Sequence, residues 1–122
     1  MNISIHCPTA ASSFSVFGEK PASDGLESDA QGRLYATDYE NNAVMRRLLD
    51  GSYETLVRDP RILWPDTLCV AADGNLYFIA NQLHRQPNFN DGIDMRVKPY
   101  KLFRVRVDAS PVSLKNIERP IY

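Results

Sequence analysis

At 122 residues, with 43% hydrophobic and 24% charged residues, the chain has the composition of an ordinary folded domain and not of a disordered or fibrous segment. A formal net charge of -1 supplies no basic footprint for nucleic acid, and no stretch approaches the ~18 consecutive apolar residues of a membrane span, so neither partner is expected. Cys7 and Cys69 stand alone without a second pair, which fits neither a zinc knuckle nor a disulfide scaffold; both read as reduced thiols, Cys69 packed on a strand.

Residues 1–20 read as an irregular N-terminus with one partial strand over Ser13-Phe14-Ser15-Val16-Phe17-Gly18. Met1 to Pro8 lacks a basic n-region and a sustained apolar h-region, so it does not read as a signal peptide. From residue 21 the chain repeats itself. Asp24, Leu26, Ala30, Gly32, Leu34 and Tyr35 recur 42 residues later as Asp66, Leu68, Ala72, Gly74, Leu76 and Tyr77. A period near ~40 built of short strands is the signature of propeller blades.

The first unit, residues 21–62, predicts four antiparallel strands between about Asp24 and Val57. Ala30-Gln31-Gly32-Arg33 turns into Leu34-Tyr35-Ala36-Thr37, the polar connector Asp38 to Asn42 leads to Ala43-Val44-Met45-Arg46-Arg47-Leu48, and Asp50-Gly51 opens the last strand, Ser52 to Val57. The second unit, residues 63–110, predicts a hairpin of Thr67-Leu68-Cys69-Val70-Ala71 and Leu76-Tyr77-Phe78-Ile79-Ala80 around Asp73-Gly74. Its third strand, Tyr100 to Val107, is delayed by a 16-residue insertion in the loop 82–99, which lacks a helical pattern and reads either as a surface excursion or as a ligand rim. Residues 111–122 form a tail. Six basic residues face two acidic ones between Leu83 and Val107, but Arg104 and Arg106 alternate with Val105 and Val107 and so read as the solvated face of a half-buried strand.

Catalytic signatures are missing: there is no G-x-S-x-G, H-E-x-x-H, Walker loop or G-x-G-x-x-G. His84 reads as an ordinary hydrogen-bonded side chain. Asn88 to Asp94 has the oxygen density of a calcium loop, yet its glycine comes one residue early and the closing glutamate is missing. Asp24 and Asp66 occupy the same repeat position, before the innermost strand. In a radial array such side chains converge on the axis, where they either ligate Ca²⁺ or bond local backbone N–H groups.

Asp66 to Phe89, and above all Ala80-Asn81-Gln82-Leu83-His84-Arg85-Gln86-Pro87-Asn88, resembles the C-terminal part of the yellow and major royal jelly protein family. The resemblance runs from about Phe14 to Val107 and implies an all-β fold: about two four-stranded antiparallel blades of a six-bladed propeller, an incomplete ring. It implies a C-terminal fragment of bacterial type, inactive alone, with the missing blades or self-association covering its open faces. It also implies an extracellular or periplasmic home.

Family activities are divided. Some relatives bind amines in the central channel through an asparagine, which corresponds here to Asn81, with an apolar residue two positions on, here Leu83; Asp66 joins them as a candidate ligand-binding residue. An amide oxygen accepts from an ammonium group while the apolar neighbour excludes water. The alternative is a metal-assisted lactone or ester hydrolase of the gluconolactonase and senescence-marker kind, in which a Pro-Asp-Gly step supplies a divalent-cation ligand. Ser23-Asp24-Gly25 and Pro65-Asp66-Thr67 each keep part of that step, making Asp24 and Asp66 the candidate metal residues.

Overall fold

The computed structural model describes residues 13–114, so Cys7, His6 and the N-terminal segment up to Pro8 lie outside the described residues, as does most of the expected tail. Seven strands follow in chain order: β1 (Leu26–Ser28), β2 (Leu34–Asp38), β3 (Ala43–Arg47), β4 (Tyr53–Arg58), β5 (Pro65–Val70), β6 (Asn75–Ala80) and β7 (Lys101–Arg106). They form two antiparallel meanders, β1-β2-β3-β4 and β5-β6-β7. The first is the expected blade. The second has three strands among the described residues, because after β7 the chain crosses to the first sheet instead of folding back. Ala30 N–H donates to Ser110 O at 2.8 Å, and Asp29 bridges Pro111.

Hairpin turns fall where Gly32, Gly51 and Gly74 predicted them. Gly32 and Gly74 hold φ of 83° and 84°, and each donates its N–H three residues back, to Asp29 O and Ala71 O. The N-terminal expectation is corrected: residues 14–20 form no strand, and Phe14 and Val16 are exposed while the Arg47 guanidinium covers the Phe17 ring at 4.4 Å. With no neighbouring strand to pair it among the described residues, that segment has no ladder to join.

The two sheets pack face to face through Tyr35, Val44, Ile62, Leu68, Val70, Leu76 and Phe78, with β1 and β2 against β5. Strand alternation explains which residues these are. Along β6, Leu76, Phe78 and Ala80 are buried while Tyr77 and Ile79 point away. Equivalent residues of the two repeats therefore have opposite fates. Tyr35 is 0% exposed and Tyr77 half-buried; Leu26 is 65% exposed and Leu68 buried. The front of the first sheet meets the back of the second, so each repeat position meets a neighbour on one side only.

Cys69 shares this rule and corrects its reading: it lies on β5 but faces outward as an exposed free thiol. Leu76→Ala is expected to cost about 2–5 kcal/mol in urea unfolding, because it opens a hole in the intersheet core. Leu102→Ala, on the outer face at 70% exposure, is expected to change stability by less than about 0.5 kcal/mol.

The long loop is structured. Two 3-10 turns, Leu83–Arg85 and Pro87–Phe89, occupy its first half, where no helical pattern was expected. Gln82, buried and with φ of 55°, clamps its two ends. Its side chain donates to Val97 O and accepts from Val97 N–H, both at 2.9 Å, as a strand partner would.

Candidate functional site

The start of β1 and the start of β5 lie together at one end of the two-sheet unit. Gly25 makes this possible: a Cβ there would stand 1.9 Å from Asp66 O, so only a bare backbone fits. Thr37 fixes the approach from behind, its Oγ1 accepting from the N–H groups of Asp24 at 3.2 Å and Gly25 at 3.0 Å.

Both candidate aspartates are engaged by one oxygen. Asp24 Oδ2 accepts from the Trp64 indole N–H at 2.6 Å, and Asp66 Oδ2 accepts from Asn81 Nδ2 at 2.8 Å. Asn81 Oδ1 accepts from Leu83 N–H at 3.1 Å, and its backbone N–H donates to Trp64 O at 3.1 Å. Asn81 thus holds Asp66 in place and ties off the strand end, while its oxygen keeps a second lone pair for a further donor. Leu83 is half-buried and opens the first 3-10 turn. Asp24, Asp66, Asn81 and Leu83 are thereby linked through Trp64 and Asn81 at one end of the unit.

Tyr39 and Trp64, for which no role was expected, and His84, expected to be an ordinary hydrogen-bonded side chain, complete it. Tyr39 and Trp64 stack with ring centroids 4.1 Å apart and planes within 4°, and His84 lies 5.9 Å from Trp64 at 22°. Partial burial lowers the His84 pKa, and the neighbouring Arg85 charge lowers it further, so the charged imidazolium is disfavoured. A signal for Tyr39 and Trp64 exists. Tyr39 and Asn81 are equivalent in the repeat, as are Ala22 and Trp64, and both pairs make the same backbone bond at 3.1 Å. Positions with one geometry but different side chains are where the units have specialised. Beside Asn81, a mainly apolar cavity of about 220 Å³ opens between Ile79, Tyr100 and Leu102.

The donor set does not suit a resident calcium ion. Ca²⁺ takes roughly 6–8 oxygens, whereas two carboxylates here are each partly committed to N–H donors. No group of three or more His, Cys, Asp or Glu at metal-holding spacing occurs among the described residues. In the oxygen-rich segment 88–94, Asn90 Nδ2 donates to His84 O and Gln86 O, and Asp94 pairs with Arg96, so those side chains serve the loop itself.

No protein-family model and no curated protein matches the chain. Among solved structures, selenomethionine-substituted virginiamycin B lyase from Staphylococcus aureus is similar, at 16% identity and a TM-score of 0.46. The match covers 81% of this chain and 32% of that one, so this chain spans about a third of that protein's length. No described helix is long and apolar enough to cross a membrane.

Proposed function

We propose that the chain is a two-sheet part of a small-molecule-binding propeller of the yellow and royal jelly type, and that the ligand is a cationic amine received at the shared strand-start end. One observation carries this reading: at adjoining strand starts, the Asp24 carboxylate bonds the Trp64 indole of the Tyr39–Trp64–His84 aromatic wall and the Asp66 carboxylate is held by Asn81. A carboxylate with one oxygen already oriented offers the other to an ammonium group, and aromatic faces attract the same charge. Partial burial and the Arg85 charge disfavour a positive charge on His84, which limits its repulsion of the ligand. The exposed outer faces, with Leu26 on one and Ile79 and Leu102 on the other, are taken to receive further sheets or another copy of the chain.

Trp64 is the single tryptophan of the chain, so its emission reports this site directly. Titration with phenethylamine is expected to change that emission saturably. Asp66→Asn should weaken the binding by roughly tenfold or more, the loss of one charge-assisted contact, and a chelator should leave it unchanged. An emission that does not respond, or an Asp66→Asn protein that binds equally well, overturns the reading. Binding abolished by chelator and restored by Ca²⁺ would instead support the metal-assisted hydrolase.

A further inference from the structure

Beneath the long loop lies a second cavity, of about 260 Å³, bounded by the linker between the sheets, the two ends of the loop and the start of β7. Leu63, Val97, Pro99 and Phe103 offer it apolar surface, and Gln82 lines it as well. At its edge stand Arg61, Arg85 and Lys101, and no carboxylate lines it.

The three cations are not equivalent. Arg61 is spent on Asp59, with Nε–Oδ1 at 2.8 Å and Nη2–Oδ2 at 2.9 Å. None of the ion pairs among the described residues includes Arg85 or Lys101. The polar partner of Arg85 is Gln82 Oε1, 3.5 Å from Nη1, and that oxygen is already held by Val97 N–H at 2.9 Å. Arg85 is nevertheless well placed. Its backbone N–H donates to Gln82 O and its carbonyl accepts from Met95 N–H, both at 2.9 Å, so the loop fixes the root of the side chain. Lys101 comes from the first position of β7, a different element. Two half-buried or exposed cations from two elements thus flank an apolar recess, with no anion to neutralise them.

We propose that this recess binds a small carboxylate carried on an apolar body, such as an arylalkanoate, its ring against Leu63, Val97 and Phe103 and its carboxylate between Arg85 and Lys101. The volume falls just below the ~300–1,000 Å³ of drug-sized pockets, which restricts the occupant to a small molecule. The pairing of one planar guanidinium with one ammonium suits a carboxylate, whose two oxygens each take a charged donor. A free phosphate would demand more donors than two cations provide and would gain nothing from four apolar walls. The site shares Lys101 with the cavity beside Asn81 but includes neither Asp24 nor Asp66, and it takes the opposite charge.

Calorimetric titration of the full chain with phenylacetate tests this. Saturable binding is expected, at least roughly tenfold weaker for the neutral phenylacetamide and for the Arg85→Gln/Lys101→Gln double variant. Asp66→Asn should bind phenylacetate as the parent does, which separates this result from the fate of the amine reading. Lys101→Gln alone, at an exposed strand position that leaves the loop intact, should also weaken binding and guards against a double variant that misfolds. No saturable binding, equal affinity for the amide, full affinity in both variants, or preference for inorganic phosphate overturns the proposal.

Discussion

Asp29→Ala is expected to cost about 3–5 kcal/mol, the scale on which removing one partner of a buried ion pair is felt. Asp29 is 2% exposed and accepts four hydrogen bonds: from Tyr35 O–H at 2.8 Å, Arg33 Nε at 2.7 Å, Gln31 N–H at 2.9 Å and Arg33 N–H at 3.1 Å. Alanine leaves a phenol, a guanidinium and two turn amides without their acceptor. Arg33 is already strained for partners, since its Nη2 is buried with none among the described residues. The damage also reaches the intersheet core. Tyr35 is fully buried there, with Arg46 5.9 Å from its ring centre, and Arg46 Nη1 donates across to Val107 O at 3.2 Å.

The acid dependence of that loss follows from the Asp29 pKa. Burial pushes the carboxyl up, but the donors Tyr35 and Arg33, with the backbone N–H groups of Arg33 and Gln31, outweigh it and hold the folded pKa below the ordinary value. A depressed carboxylate contributes stability that is present above its unfolded pKa of ~3.9 and is lost as the pH falls through its folded value. The advantage of the parent over Asp29→Ala should therefore be full at pH 7 and shrink below about pH 4. Urea unfolding at both pH values checks this; a difference under about 1 kcal/mol at neutral pH, or one that does not shrink in acid, would falsify it.

Asp29 also shows where reading the sequence stops. The repeat located the hairpins because a turn needs its glycine in one place, and Gly32 and Gly74 stand in register with nearly equal φ. It could not locate the partner of the buried tyrosine. The first unit binds Tyr35 with Asp29, whereas position 71 of the second is alanine and Tyr77 is served by Asp73, its Oδ2 2.6 Å from the hydroxyl. Two solutions to one requirement cancel in an alignment of the units. Alternation predicted the solvated side of β7, where Arg104 and Arg106 are exposed and Val107 is buried, because it depends on strand geometry alone. Which of the two faces would be covered depends instead on the neighbouring sheet, so Cys69 was placed on the right strand and given the wrong environment.

The candidate site divides along the same line. Asp24 and Asp66 stand out because they occupy equivalent repeat positions, and Asn81 only through the family resemblance of its segment. Trp64 and His84 reach the site from a linker and from the inserted loop, and their stacking is a product of how those segments fold back. Gln82, which closes that loop, looks in sequence like any polar residue after a strand. Only its left-handed backbone and its two bonds to Val97 show it to be the clamp.

Gly25→Ala should be the most disruptive single-methyl change in the chain. The added Cβ would lie 1.9 Å from Asp66 O and 2.8 Å from Asp66 C, both backbone atoms that cannot rotate away, and 3.4 Å from Thr37 Cγ2. Relief requires β1 and β5 to separate, which breaks the Thr37 bracket on Asp24 and Gly25 and moves Asp24 away from Trp64. Overpacking ordinarily costs about 1–3 kcal/mol, and a clash with rigid backbone belongs at or above the top of that range. Gly32→Ala provides the contrast. Its Cβ meets nothing nearer than Leu49 Cδ2 at 3.6 Å, so its cost is confined to a φ of 83°, about 1 kcal/mol. The two variants also differ in what they do to the site. In Gly25→Ala the Trp64 emission should shift toward that of a solvated indole even under conditions where the protein stays folded, because the Asp24 contact is lost, whereas Gly32→Ala should leave it unchanged. Equal unfolding midpoints for the two variants would show that the strand starts are not in contact at Gly25, and the grouping of Asp24, Asp66 and Asn81 into one site would fall with it.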